Sequence, residues 1–185
     1  MFSHLGVAFI FSIVFSRTLN IPLTPPFLLF NIFCNYLPDI DIPIELLMRG
    51  RLGGKKHGFH RELTHYPLLY IIISLLLLLI FDYRWILILL AGVYTHFLLD
   101  SMGAGWGIKW LWPFSDDRIK LLANQKTGML SNNFIARWNK KEFLELSKKY
   151  GDDNWFRNLY LKPSATLAFE FIVLSTGIIV FFLYK

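Results

Sequence analysis

The chain alternates between long apolar blocks and short polar stretches. Phe2 to Phe15 is almost wholly apolar and is closed by Arg17, giving a first membrane segment over residues 1–21. It lacks the basic n-region and small-x-small cleavage site of a signal peptide, so it is expected to stay in the chain as a helix. Pro22, Pro25 and Pro26 mark a turn, and a second block runs from Phe27 to Leu37. Tyr66–Phe81 and Trp85–Leu99 form a third and a fourth, separated only by Asp82-Tyr83-Arg84. Each spans about 16 residues, or about 24 Å as helix, slightly short of a hydrocarbon core of about 30 Å. So short a connection predicts an antiparallel helical hairpin. Ala165–Tyr184 reads as a full-length final membrane helix, and its single acid, Glu170, is expected to face other helices and not lipid.

These blocks predict an all-α fold: a polytopic membrane helical bundle with about five membrane-embedded helices, in a single domain over residues 1–185. The polar remainder comprises a loop at 45–65, loosened by Gly50, Gly53 and Gly54, and a basic extramembrane segment at 114–162. Within the latter, Asn139–Tyr150 has helical character, with Phe143 and Leu146 three apart, so this segment is expected to be small, helical and cytoplasmic. Trp106, Trp110 and Trp112 are expected to anchor the chain at the interface.

Composition strengthens the membrane reading. Hydrophobic residues make up 55% of the chain and charged residues 17%, below the usual quarter or so of a soluble domain. The net charge of +6 then implies contact with anionic lipid headgroups, with no nucleic acid expected. Cys34 stands alone inside an apolar block, which excludes an internal disulfide and suits a buried, inert thiol. Five segments put the N-terminus, the 45–65 loop and residues 101–163 on one side, together with 16 of the 19 Lys and Arg. Arg17, Arg84 and Lys185 are left for the other side. The positive-inside rule makes the crowded side cytoplasmic, in a multi-pass protein of the inner (plasma) membrane.

Candidate chemistry gathers on that same side. The densest stretch is His57-Gly58-Phe59-His60-Arg61-Glu62-Leu63-Thr64-His65. Arg61 and His65 would share a helix face, whereas His60 and His65, five apart, would not. His60 is therefore expected just ahead of a helix and His65 on its first turn, with His57 left in the loop. In Leu37-Pro38-Asp39-Ile40-Asp41-Ile42-Pro43 the prolines disfavour helix, and in an extended segment Asp39 and Asp41 would point the same way, toward one cation. The opposing reading of that stretch is ordinary Asp-Pro turn chemistry at a helix stop. His96 and Asp100, four apart on a helix, present two ligands on one face. Gly103, Gly105 and Gly107 would let backbone N–H groups approach a phosphate, although a plain loop is the stronger reading. His4, at the start of the first segment, reads alone as an interfacial cap. It gains weight because every histidine in the chain falls at one membrane surface.

A cysteine-free His/Asp set suits zinc, manganese or iron better than calcium, and two or three such ions form a hydrolytic site. Arg61 would grip a phosphate through its guanidinium fork.

Five short motifs occur in order over residues 4–115: His4, Leu37-Pro38-Asp39-Ile40-Asp41, His60-Arg61-x-x-Thr64-His65, His96-x-x-x-Asp100 and Trp112-Pro113-Phe114-Ser115. In these the chain resembles the LexA-binding, inner-membrane-associated metal-dependent hydrolases. That family is in turn similar in its His/Asp pattern to zinc-dependent phospholipase C and P1-type nucleases, which are all-helical and use three zinc ions. The resemblance implies a phosphoesterase-like site with His4, Asp39, Asp41, His60, His65, His96 and Asp100 as metal ligands. Arg61, Asp41 and Asp100 are the candidate catalytic residues. Two departures from the family's pattern bear on the pocket: Glu62 stands where a small residue is usual, and Tyr66 where serine is usual. The expected function is hydrolysis of a phosphoester, a small molecule or a lipid phosphate, at the cytoplasmic membrane surface, with membrane lipids as partners. A metal transporter or sensor, and a non-catalytic adaptor with a structural metal site, are the competing readings.

Overall fold

The structure is a computed structural model that describes residues 2–184 apart from His57, Phe59 and Leu63. The chain divides into two compact units. One comprises Met1–Leu37, Tyr70–His96 and Pro163–Lys185, and the other Pro38–Leu69 and Phe97–Lys162.

The first unit is helical. It holds α1 (Phe2–Thr18), α2 (Pro25–Tyr36), most of α4 (Pro67–Leu77), the first three turns and more of α5 (Tyr83–Met102), and α8 (Ala165–Tyr184). Thr24 caps α2, its hydroxyl accepting from Phe27 N, and Pro25 and Pro26 occupy the first turn, where no N–H is needed. Asp82 caps α5 by accepting from Arg84 N at 2.9 Å, which turns the Asp82-Tyr83-Arg84 stretch into a helix start. Two glycines allow α1 and α8 to meet backbone to backbone. A Cβ on Gly177 would lie 2.2 Å from Gly6 O, and one on Gly6 would lie 2.4 Å from Val173 O. Close approach through small residues is how helices pack where lipid offers no hydrophobic driving force. Glu170 turns inward, as expected, and accepts from Ser3 N at 3.1 Å at the start of α1.

The second unit holds a 3₁₀ turn (Leu37–Asp41), α3 (Ile42–Arg49), the end of α5, a hairpin of β1 (Arg118–Ala123) and β2 (Leu130–Trp138), α6 (Lys140–Tyr150) and α7 (Trp155–Tyr160). The strands pair antiparallel from Arg118↔Trp138 to Leu121↔Ile135, and the register shifts before Ala123↔Leu130. Asn139 and Glu142 form a reciprocal capping box that starts α6 where the sequence placed it. Phe143 of α6 packs into a small core with Ala123, Ala136 and Trp138, against which Trp106 and Leu146 lie.

The expected all-α bundle of about five membrane-embedded helices is overturned on two counts. The polar segment contains a β-hairpin. Its alternation is hard to read because the buried positions of β1 carry Arg118 and Lys120, while Leu122, Leu130, Phe134 and Ile135 are exposed. Among the described residues, three helical stretches have the length and apolarity to cross a membrane: Pro25–Arg49, Tyr83–Met102 and Ala165–Tyr184. α1 has 17 residues and α4 only 11, roughly 17 Å for α4. Past Leu77 the apolar block leaves the helical ladder, with Leu79 N bonding Leu76 O and Ile80 N bonding Leu77 O.

The tryptophans make packing contacts. Trp106 lies edge-on to Trp138, Trp110 Nε1 donates to Ser101 Oγ at 2.9 Å, and Trp112 stacks on Tyr66 at 4.2 Å.

Candidate metal centre

The prolines of Leu37–Pro43 did not extend the chain. Pro38 sits early in the 3₁₀ turn and Pro43 in the first turn of α3, positions whose N–H has no intrahelical partner. In a 3₁₀ turn, side chains two apart diverge by about 240° and cannot point the same way. Asp39 and Asp41 instead address opposite nitrogens of one imidazole. Asp41 Oδ1 lies 2.9 Å from His60 Nδ1, and Asp39 Oδ1 lies 3.9 Å from His60 Nε2.

His65 is fully buried. Thr64 Oγ1 donates to Pro38 O at 2.5 Å and lies 3.2 Å from His65 Nδ1. Because the hydroxyl proton is used on Pro38, the oxygen receives the Nδ1 proton of His65, which leaves Nε2 as the ring atom facing the carboxylates. That Nε2 lies 3.4 Å from Asp100 Oδ2 and 3.7 Å from Asp39 Oδ1. The unit thus brings together two overlapping sets, Asp39 with His65 and Asp100, and Asp41 with His60 and His65. Within each set the ligand atoms lie within 4.8 Å of one another.

His60 and His65 both precede α4, which starts at Pro67, so the expected first-turn position of His65 and the shared helix face with Arg61 are corrected. Arg61 takes a left-handed backbone (φ 67°) instead. This turns its N–H to Asp41 Oδ2 at 3.3 Å, while its side chain reaches Asp100 Oδ2 through Nε at 2.8 Å and Ala104 O through Nη1 at 3.0 Å. Glu45 was missed. It is fully buried, pairs with Arg49 and accepts from His60 N at 3.3 Å. Arg49 in turn donates to Lys56 O at 2.6 Å. Glu45 follows Asp41 by one helical turn, and that spacing was the available signal.

His4 and His96 lie in the first unit, where their rings stack at 4.2 Å. His96 Nδ1 contacts Asn35 O at 2.8 Å, which leaves the lone pair on Nε2. Gly92, one turn earlier, permits that approach: a Cβ there would lie 2.8 Å from Cys34 Cβ. The helical spacing of His96 and Asp100 on α5 is as expected. Neither donor set includes His4. His57 lies outside the described residues.

In the glycine-rich turn the backbone carbonyls face cations. Ala104 O, Gly105 O and Gly107 O accept from Arg61, Lys120 and Arg118. Gly105 (φ 100°) and Gly107 (φ 69°) supply the backbone this needs. Burial, and next the charge of Arg61, push the Lys120 ammonium down to about 8. Glu62 pairs with Arg118 and, at 2.8 Å, with Lys109. Burial opposes the Lys109 charge, but its bonds to Glu62 and Asp116 outweigh that and raise its pKa. Both departures from the resembled pattern therefore have partners, Glu62 in this ion network and Tyr66 on Trp112.

No solved structure matches this chain. Inner membrane protein YbcI of Escherichia coli (strain K12) is 36% identical over 104 residues, covering 51% of this chain and 58% of that relative's length. The sequence pattern of the family described as YdjM inner membrane protein matches residues 1–184, so the chain belongs to the YdjM inner membrane protein family.

Proposed function

We propose that this inner membrane protein is a metal-dependent hydrolase of a phosphoester, either a phospholipid or a lipid-linked phosphate. The observation that carries the reading is the Pro38–Thr64–His65 relay. It aims His65 Nε2 at two carboxylates within 3.7 Å, inside a fully buried position. Such a second partner on Nδ1 is the usual companion of a metal-ligating histidine. The donors are all nitrogen and oxygen, which suits zinc, manganese or iron. Asp39, His65 and Asp100 would hold the ion, with His60 contributing Nε2. A bound divalent ion of this kind lowers the pKa of water and polarises a phosphoryl oxygen. The resemblance to zinc-dependent phospholipase C and P1-type nucleases belongs to this reading.

Two residues take positioning roles in place of those expected from sequence. Asp41 holds His60 through Nδ1, and Arg61 holds Asp100 while tied to Ala104 O. Elemental analysis of the purified protein, beside a panel of phosphoester and phospholipid substrates, tests the function. Stoichiometric metal with an inert protein would favour transport or a structural site. Arg61→Lys separates the two roles of that residue. As a brace for Asp100 its loss weakens metal affinity by about 10–100-fold. As a phosphate clamp it would leave metal in place and cost about 10²–10³ in kcat.

The same proposal places the site on the cytoplasmic side. The second unit holds 16 of the 19 Lys and Arg, and basic segments are retained inside. With Cys34 replaced by alanine, cysteines at Lys55 and Lys140 should resist an impermeant thiol reagent in intact cells, and one at Tyr83 should react. Labelling at Lys55 and Lys140 reverses the orientation.

A further inference from the structure

The helix that carries Asp41 at its start is amphipathic the wrong way round for water. Its one buried residue is the acid Glu45, at 0% exposure. Ile40, Ile44, Leu47 and Met48 are 58%, 53%, 88% and 64% exposed. Positions 40, 44 and 47 fall within about 60° of one another on a helix, Met48 flanks them toward Asp41, and Glu45 lies about 100° from Ile44; Leu46 is exposed too, at 44%. The inward side needs its carboxylates because Asp41 binds His60 Nδ1 and Glu45 binds His60 N and Arg49. The outward side then has no aqueous rationale. Exposing several large aliphatic side chains together to water is unfavourable relative to burying them. Beyond the helix, Gly50 ends it in a left-handed cap, and Arg51, Lys55 and Lys56 follow at once. Their side chains line an open groove of about 610 Å³ with Lys148, against the one acid Asp153.

We propose that the 3₁₀ turn and α3 form an interfacial helix: the Ile40–Ile44–Leu47–Met48 stripe lies among acyl chains of an anionic leaflet, and Arg51, Lys55 and Lys56 meet its phosphates. Three observations select lipid as the occupant. The chain belongs to an inner membrane protein family. The stripe lies in the last part of an apolar stretch, Pro25–Arg49, of membrane-spanning character. A basic turn directly follows an apolar face, the arrangement that binds anionic bilayers through both apolar area and charge. The inference stands whether or not the centre hydrolyses anything.

The test uses full-length protein with Cys34 replaced by alanine, in nanodiscs. Single nitroxides are placed at Ile44, Leu47, Met48 and, as the aqueous reference, Lys55. In discs containing an anionic phospholipid, oxygen should relax the labels at Ile44, Leu47 and Met48 more than a water-soluble nickel complex does, with the reverse at Lys55. In purely zwitterionic discs the contrast at Leu47 should shrink. Equal nickel access at Leu47 and Lys55 in both discs overturns the proposal. So does protection from both relaxants with dipolar broadening, which would put a second copy of the chain on this face. An unchanged contrast between the two lipid compositions overturns the role of the basic turn.

Discussion

Asp39→Asn is expected to strip the protein of bound divalent metal and, with it, of phosphoester hydrolysis. The substitution keeps the shape of the side chain, so the 3₁₀ turn has no reason to unfold. It removes the charge that faces His65 Nε2 at 3.7 Å and His60 Nε2 at 3.9 Å. Losing an outer partner of a ligand costs about 10–100-fold in metal affinity, and losing a ligand exceeds that. Metal content by elemental analysis and phosphate release by the same preparation decide the matter. Full metal occupancy in Asp39→Asn would remove Asp39 from the ligand set and leave Asp41, His60 and His65 as the surviving group. Hydrolysis that persists without metal would end the proposed mechanism.

Glu45→Leu is expected to destabilise the second unit and to displace His60. A leucine of similar volume fills the space but leaves the Arg49 guanidinium without its carboxylate and His60 N without its acceptor. Breaking one side of a buried pair costs roughly 3 kcal/mol. Arg49 also holds Lys56 O, so the strap before His60 loosens with it. Thermal unfolding in detergent should shift down, and amide exchange at residues 51–62 should accelerate well before the global transition. The double replacement of Glu45 and Arg49 by apolar residues should recover part of the stability and none of the order around His60. A Glu45→Leu protein with wild-type exchange at those residues would show that Glu45 is no strut.

Much of this was legible along the chain. Runs of apolar residues gave the long helices, because a helix that faces lipid satisfies its own backbone and asks of the sequence only length and apolarity. α5 with its His96–Asp100 spacing and α6 with its Phe143–Leu146 spacing followed from local rules that need no tertiary partner. The residues of the donor sets could be named for the same reason: imidazoles and carboxylates are costly in a membrane protein and stand out. Their arrangement could not. Whether Asp39 and Asp41 point together depends on a backbone state that prolines permit in either of two forms, and contact with His60 selects the 3₁₀ turn. The role of Arg61 changed because a left-handed backbone, invisible to helical periodicity, turned its side chain onto Asp100. The β-hairpin stayed hidden because its buried face holds Arg118 and Lys120, charges that the carbonyls of Gly105, Gly107 and Gly128 and the Glu62 carboxylate make tolerable there. Side-chain chemistry is a property of the residue and can be read in order. Pairing across tens of residues is decided by which buried polar groups find each other, and that is settled only when the chain is folded.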